Sequence, residues 1–109
     1  MRAYLTEIAR HRGTITYLDL AKALEVQPSH TIRQVTDALE VLMQKDCIDG
    51  APFLAALVVS KVRNGLPAPP FFSLARALRR YTGSDTSPEC LTYHAFELKR
   101  AWDHWGRLT

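Results

Sequence analysis

Cys90, His94 and Glu97 are the residues best spaced for chemistry in this chain of 109 residues: they fall four and three apart, so a helix carries all three on one side. A thiol, an imidazole and a carboxylate are groups that zinc takes, but zinc asks for three or four ligands in a fixed geometry. Cys47 or His104 would have to converge on them from elsewhere, and no spacing enforces that. Either cysteine with a histidine partner is a candidate nucleophile, yet neither lies in a recognisable nucleophile turn. Asp46 and Asp49 flank Cys47 as a pair of loop carboxylates, and nothing holds them at the controlled separation that acid–base work needs. The five glycines are dispersed and form no phosphate-cradling loop. These residues predict no enzyme, no metal site and no cofactor. Two cysteines make no disulfide framework and predict free thiols in a cytoplasmic protein. His11 and His30 read as solvated positions within reach of a phosphate.

The elements that must position such residues are mostly helices. Residues 2–11 form a first helix with Leu5, Ile8 and Ala9 inward and Tyr4 extending that side, and Gly13 ends it. Thr14, Ile15 and Thr16 favour a short strand. Thr16 then caps a second helix from Tyr17 to about Leu24, with Asp19 in a weak capping box and Leu20, Ala21 and Leu24 inward. Residues 26–30 make a turn: Pro28 stops a helix and Ser29 caps the next. The third helix spans about His30 to Lys45, with Ile32, Val35, Leu39, Leu42 and Met43 as its buried stripe and residues 46–50 closing it.

Pro52 to Val59, nearly all apolar, reads as a strand covered on both faces. Asn64-Gly65 is a turn, and Leu66 to Pro70 a stiff surface connection. A fourth helix runs over about 71–82, with Phe71, Leu74, Ala75, Leu78 and Tyr81 inward and Arg76, Arg79 and Arg80 toward solvent; Gly83 stops it. Ser87-Pro88-Glu89 opens a last helix over about 88–105. Its seam is Leu91, Ala95, Leu98, Trp102 and Trp105, a core stripe whose end, Leu98, Trp102 and Trp105, is also a candidate partner surface for a homodimer or another protein. The expected fold is one domain over 1–109, mainly α with a small β element. It is a helix-turn-helix of winged-helix type with two additional C-terminal helices. No apolar run approaches the ~20 residues that cross a bilayer, so no membrane contact is expected.

Charge is unevenly spread. Residues 51–83 hold Lys61, Arg63, Arg76, Arg79 and Arg80 and no acid, whereas residues 1–50 and 84–109 each carry a net charge of −1. Five unopposed cations suit a polyanion. In a helix-turn-helix the second helix enters the major groove with its first residues on base edges, which here are His30, Thr31, Arg33 and Gln34. Arg33 fits guanine and Gln34 adenine, while Asp37 and Glu40 oppose phosphate. Lys61 and Arg63, near the expected wing, and Arg76, Arg79 and Arg80 beyond it are candidate phosphate contacts. Asp37, Glu40, Asp46 and Asp49, taken as exposed, equally suit a toxin-neutralising or adaptor protein.

Gly13-Thr14-Ile15-Thr16-Tyr17, Asp19-Leu20-Ala21 and Pro52 followed by Val58-Val59 resemble the C-terminal DNA-binding domain of O6-alkylguanine-DNA alkyltransferases and alkyltransferase-like proteins. The resemblance covers roughly residues 2–60. It implies a Thr-Tyr at the start of one helix, a DNA-reading helix after it, and a Pro-Cys-His-Arg-Val segment. With Pro52 at the family proline, Phe53, Leu54 and Ala55 stand where Cys, His and Arg belong, so alkyl transfer is not expected. The family's arginine before the reading helix falls near His30 or Arg33. Double-stranded DNA is the expected partner, bound without catalysis.

Overall fold

Helix α1 (Arg2–Arg10) turns Leu5 and Ala9 into the core, because residues four apart share a face, and leaves Tyr4 exposed beside them. The computed structural model describes residues 1–25, 31–84 and 88–107. Strand β1 (Ile15–Thr16) is followed by α2 (Tyr17–Ala23), α3 (Thr31–Ile48), a 3-10 helix over Leu54–Leu57, β2 (Val58–Val59), a 3-10 turn over Lys61–Arg63, α4 (Pro69–Ala77) and α5 (Pro88–Trp105). The chain is mainly helical with one small sheet. The turn at 26–30 with Ser29 and His30, and the cap at Ser87, lie outside the described residues, as do the side chains of Thr31 and Ile32.

Thr16 caps α2 as its type predicts: its Oγ1 accepts from the Asp19 N–H at 3.1 Å. Three helices end in the same six-residue motif, in which a left-handed residue lets two N–H groups reach back to unpaired carbonyls. Gly50 (φ 68) does this for α3, but Arg12 (φ 51) does it for α1 and Arg79 (φ 64) for α4. Helix α4 therefore stops at Ala77, well before Gly83, and Arg80 N–H closes on Ala75 O at 2.9 Å. Pro69 and Pro70 open that helix and do not belong to a surface connection, because first-turn residues need no intrahelical N–H bond. Phe72, outside the expected stripe, is fully buried and meets Phe71 edge to face.

The expected Pro52–Val59 strand is corrected. Only Val58 and Val59 form strand, and they pair in parallel with β1, Ile15 opposite Val58 and Thr16 opposite Val59. A parallel pair needs a long crossover, here the α2–α3 hairpin. The one antiparallel contact among the described residues is a single bridge, Ser60 to Leu66, around the Asn64-Gly65 turn.

Residues 51–57 are buried without a ladder, so their backbone groups need partners from elsewhere. Ala51 N–H bonds Asp46 O at 2.8 Å, and Arg80 donates to Ala51 O at 2.6 Å. Trp105 Nε1 donates to Pro52 O at 2.9 Å. Phe53 N–H bonds Glu97 Oε2 at 2.8 Å and Leu54 N–H bonds Asp46 Oδ2 at 3.0 Å, so two carboxylates take the N–H groups of the 3-10 helix's N-cap and first residue. His94 bonds Ala56 O at 2.9 Å. Arg2 (2.8 Å from Asp46) and Arg100 (2.8 Å from Glu97) balance the two charges at the protein edge.

This demand sets the rotation of α5. Its buried face is Cys90, His94, Glu97 and Ala101; Leu91 and Ala95 of the expected seam are exposed. Asp46 is likewise no loop acid. It lies inside α3 with none of its surface exposed, and only Asp37 and Asp49 of the expected acidic set are fully on the surface.

Candidate functional site

Capping at Thr16 fixes the phase of α2, so Tyr17, Leu20 and Ala21 face the core and Leu18, Asp19 and Lys22 face out. The β1–β2 register then carries residues 60–62 to the same side. Their turn is held by Ser60 N–H to Leu66 O at 2.7 Å and Gly65 N–H to Ser60 O at 3.2 Å. Asn64 (φ 57) and Gly65 (φ 87) sit in the left-handed region that Asn and Gly adopt most readily. Between α2 and this turn lies a groove of about 660 Å³, with Leu18, Asp19 and Lys22 on one side and Ser60, Lys61 and Val62 on the other. Tyr17 underlies it: Ala68 N–H bonds its hydroxyl at 2.9 Å, and burial raises the phenol pKa while that N–H and Arg63 pull it down.

Lys22 and Lys61 are exposed and make no ion pair among the described residues. Leu18 is 52% exposed and Val62 92% exposed. Arg33 and Gln34 lie exposed in the first turns of α3, Arg33 loosely facing Asp37 at 4.0 Å.

The remaining candidate cations are not gathered into one patch. Arg63 donates to Pro67 O at 3.0 Å and covers the Phe72 ring at 5.8 Å. Arg76 folds back onto Gly83 O and Ser73 Oγ, at 3.1 and 3.3 Å. Arg79 is exposed. Arg80, expected at the surface, is only 18% exposed. It bonds two backbone carbonyls, Ala51 and Asp46, stands 3.5 Å from Glu97 and stacks on Phe53 at 4.3 Å. Lys22 and Leu18 are the residues the sequence did not single out; their outward phase follows from the Thr16 cap, but their meeting with Lys61 follows from strand pairing.

Leu98, Trp102 and Trp105 are half-buried against the core, with Trp102 Nε1 donating to Gly13 O at 3.0 Å. Arg12 and Arg2 lie over the two indoles at 5.4 and 4.8 Å. Burial lowers the His94 pKa, and its bond to Ala56 O opposes that shift. No group of three or more His, Cys, Asp or Glu among the described residues is placed to hold a metal ion. Phe53, Leu54 and Ala55 are core side chains. No described helix is long and apolar enough to cross a membrane. No protein-family profile, curated protein or solved structure matches this chain.

Proposed function

We propose that the chain is a non-enzymatic nucleic-acid-binding protein in which α2 and α3 act as a helix-turn-helix of winged-helix type on duplex DNA. The observation that carries this reading is that Lys22 and Lys61 line one groove beside the α2–α3 hairpin, neither in an ion pair among the described residues, with Asp19 the one acid in that lining. In such a motif the first helix crosses the phosphate backbone and the first turns of the second reach base edges. Lys22 lies on the former, Arg33 and Gln34 on the latter, and Lys61 on the short turn that stands in place of a wing. The resemblance of residues 13–21 to the alkyltransferase-like DNA-binding domain supports the same assignment.

Two to four phosphate contacts predict a slope of log K against log salt of roughly −2 to −4. Fluorescence anisotropy of a labelled duplex at low salt tests this. Reversing both charges (Lys22→Glu with Lys61→Glu) is expected to weaken binding on every sequence and to flatten the slope by about two. Arg33→Ala is expected to change the ranking of sequences. No binding at about 50 μM protein in low salt ends the reading. The exposed Leu18 and Val62 in the same groove favour one second reading, a protein-docking site of the adaptor or toxin-neutralising kind. In that case Leu18→Ser with Val62→Ser abolishes partner capture and the lysine reversals leave it intact.

A further inference from the structure

Helix α5 carries a second stripe, on its outer side. Pro88, Leu91, Thr92, Ala95 and Phe96 follow the i, i+3, i+4, i+7, i+8 spacing of a buried helix face, and all five are exposed. Leu91 is 58% and Phe96 61% exposed, and a shallow cavity of about 480 Å³ lies along Pro88, Glu89, Thr92, Tyr93 and Phe96. None of these five residues is charged, although the Arg100 guanidinium lies over the Phe96 ring at 5.6 Å. Charge begins at its flanks, with Glu89 at the N-terminal end and Lys99 and Arg100 at the other. Large exposed apolar side chains in such an array mark an interaction surface.

We infer that this stripe is the contact of a homodimer, in which the α5 helices of two copies pack antiparallel about a two-fold axis near residues 93 and 94. Such an interface must be self-complementary, and this pattern is. Turning the helix end for end about that point sets Leu91 against Phe96 of the second copy and Thr92 against Ala95. The small pair at the crossing lets the helices approach, and the two outer pairs supply the apolar contact. The same operation brings the Glu89 end of one helix beside the Lys99–Arg100 end of the other, so opposite charges adjoin there in addition to the Lys99–Asp103 and Arg100–Glu97 pairs within each chain. A parallel pair would instead set like charges together. The face differs from the Leu98–Trp102–Trp105 surface expected from sequence, whose indoles already bond the chain's own backbone.

One helix pair is smaller than a standard interface of about 800 Å² per partner, so a dissociation constant of roughly 10–100 μM is expected. Sedimentation equilibrium of the full chain up to about 500 μM should show a monomer–dimer equilibrium in that range. Phe96→Glu, at an exposed site, should raise the dissociation constant at least about tenfold with an unchanged circular dichroism spectrum. Ala95→Cys, nearest the axis, should form a disulfide-linked dimer under mild oxidation, whereas Val62→Cys should not. A chain monomeric throughout, self-association indifferent to Phe96→Glu, or equal cross-linking at positions 62 and 95 would each overturn the proposal.

Discussion

Replacing Arg80 by alanine is expected to be among the most damaging single changes in this protein, and replacing its neighbour Arg79 nearly silent. The two are adjacent in sequence and chemically identical. The left-handed turn at Arg79 leaves that side chain in solvent and sends the next one inward. At Arg80 the guanidinium spends its donors on Ala51 O (2.6 Å) and Asp46 O (3.2 Å) and stands 3.5 Å from Glu97. Truncation leaves a carboxylate with no exposed surface holding only Arg100 and the Phe53 N–H, together with two carbonyls that lose a donor. Removing one partner of a buried pair costs about 3–5 kcal/mol, mostly as the penalty of the group left behind. A domain of this size holds roughly 5–15 kcal/mol in all, so between about a fifth and all of the stability is at stake. With a urea slope of about 1.5–2 kcal/mol/M, the unfolding midpoint falls by about 1.5–3 M.

Trp102 and Trp105, both packed on the core, report that transition by fluorescence. Arg80→Lys keeps the charge but loses the planar fork that serves several acceptors at once, so its midpoint should lie between wild type and Arg80→Ala. In the background Glu97→Gln, loss of Arg80 should cost clearly less, because the charge it neutralises is gone. An Arg80→Ala midpoint within about 0.5 M of wild type would refute the buried network as a source of stability.

Acidification should weaken the fold through His94. Its ring nitrogen must donate to Ala56 O, which only accepts, and burial holds its folded pKa below the unfolded value of about 6.5. The stability it supports is therefore complete above about pH 6.5 and declines as pH falls below that, by at most about 1.4 kcal/mol per pH unit. Urea midpoints at pH 7.5 and 5.5 should separate more for wild type than for His94→Gln, and equal separations would contradict the assignment. Gly106→Ala should loosen the α1–α5 contact, since a β-carbon there would lie 2.5 Å from Trp102 O and 2.9 Å from Ala9 O, both backbone atoms. Overpacking of that kind costs about 1–3 kcal/mol, or a melting temperature lower by roughly 5–15 °C. An unchanged melting curve would show that the helices separate without cost.

The boundary between what the residues announce and what they conceal follows the range of the interaction. Thr16 caps α2 through an N–H three positions away, and the α3 stripe at Val35, Leu39 and Met43 repeats within one helix. Both are legible because a few neighbouring residues decide them. The facing of α5 is decided elsewhere. A rule that sends apolar side chains inward picks Leu91 and Ala95, but the partner surface is the backbone of residues 51–57, which lacks a sheet ladder and so selects His94 and Glu97. The same stretch looks like a strand in sequence because a fully buried strand and a side-chain-capped buried segment have the same apolar composition.

That long-range demand also redistributes charge. Of the five cations that make residues 51–83 look uniformly basic, Arg80 caps buried carbonyls, Arg63 and Arg76 reach carbonyls of their own neighbourhood and Arg79 faces solvent, while Lys61 is joined by Lys22 from outside the segment. A basic run beside a buried irregular stretch is therefore a poor proxy for a basic surface. Arginine, with five donors on a fork, is suited to satisfying the carbonyls of such a stretch, as Arg80 does. On that reasoning the hydrogen-bond partners of each cation, more than net charge, separate Lys61 and Arg79, which face solvent, from Arg63, Arg76 and Arg80, which serve backbone carbonyls.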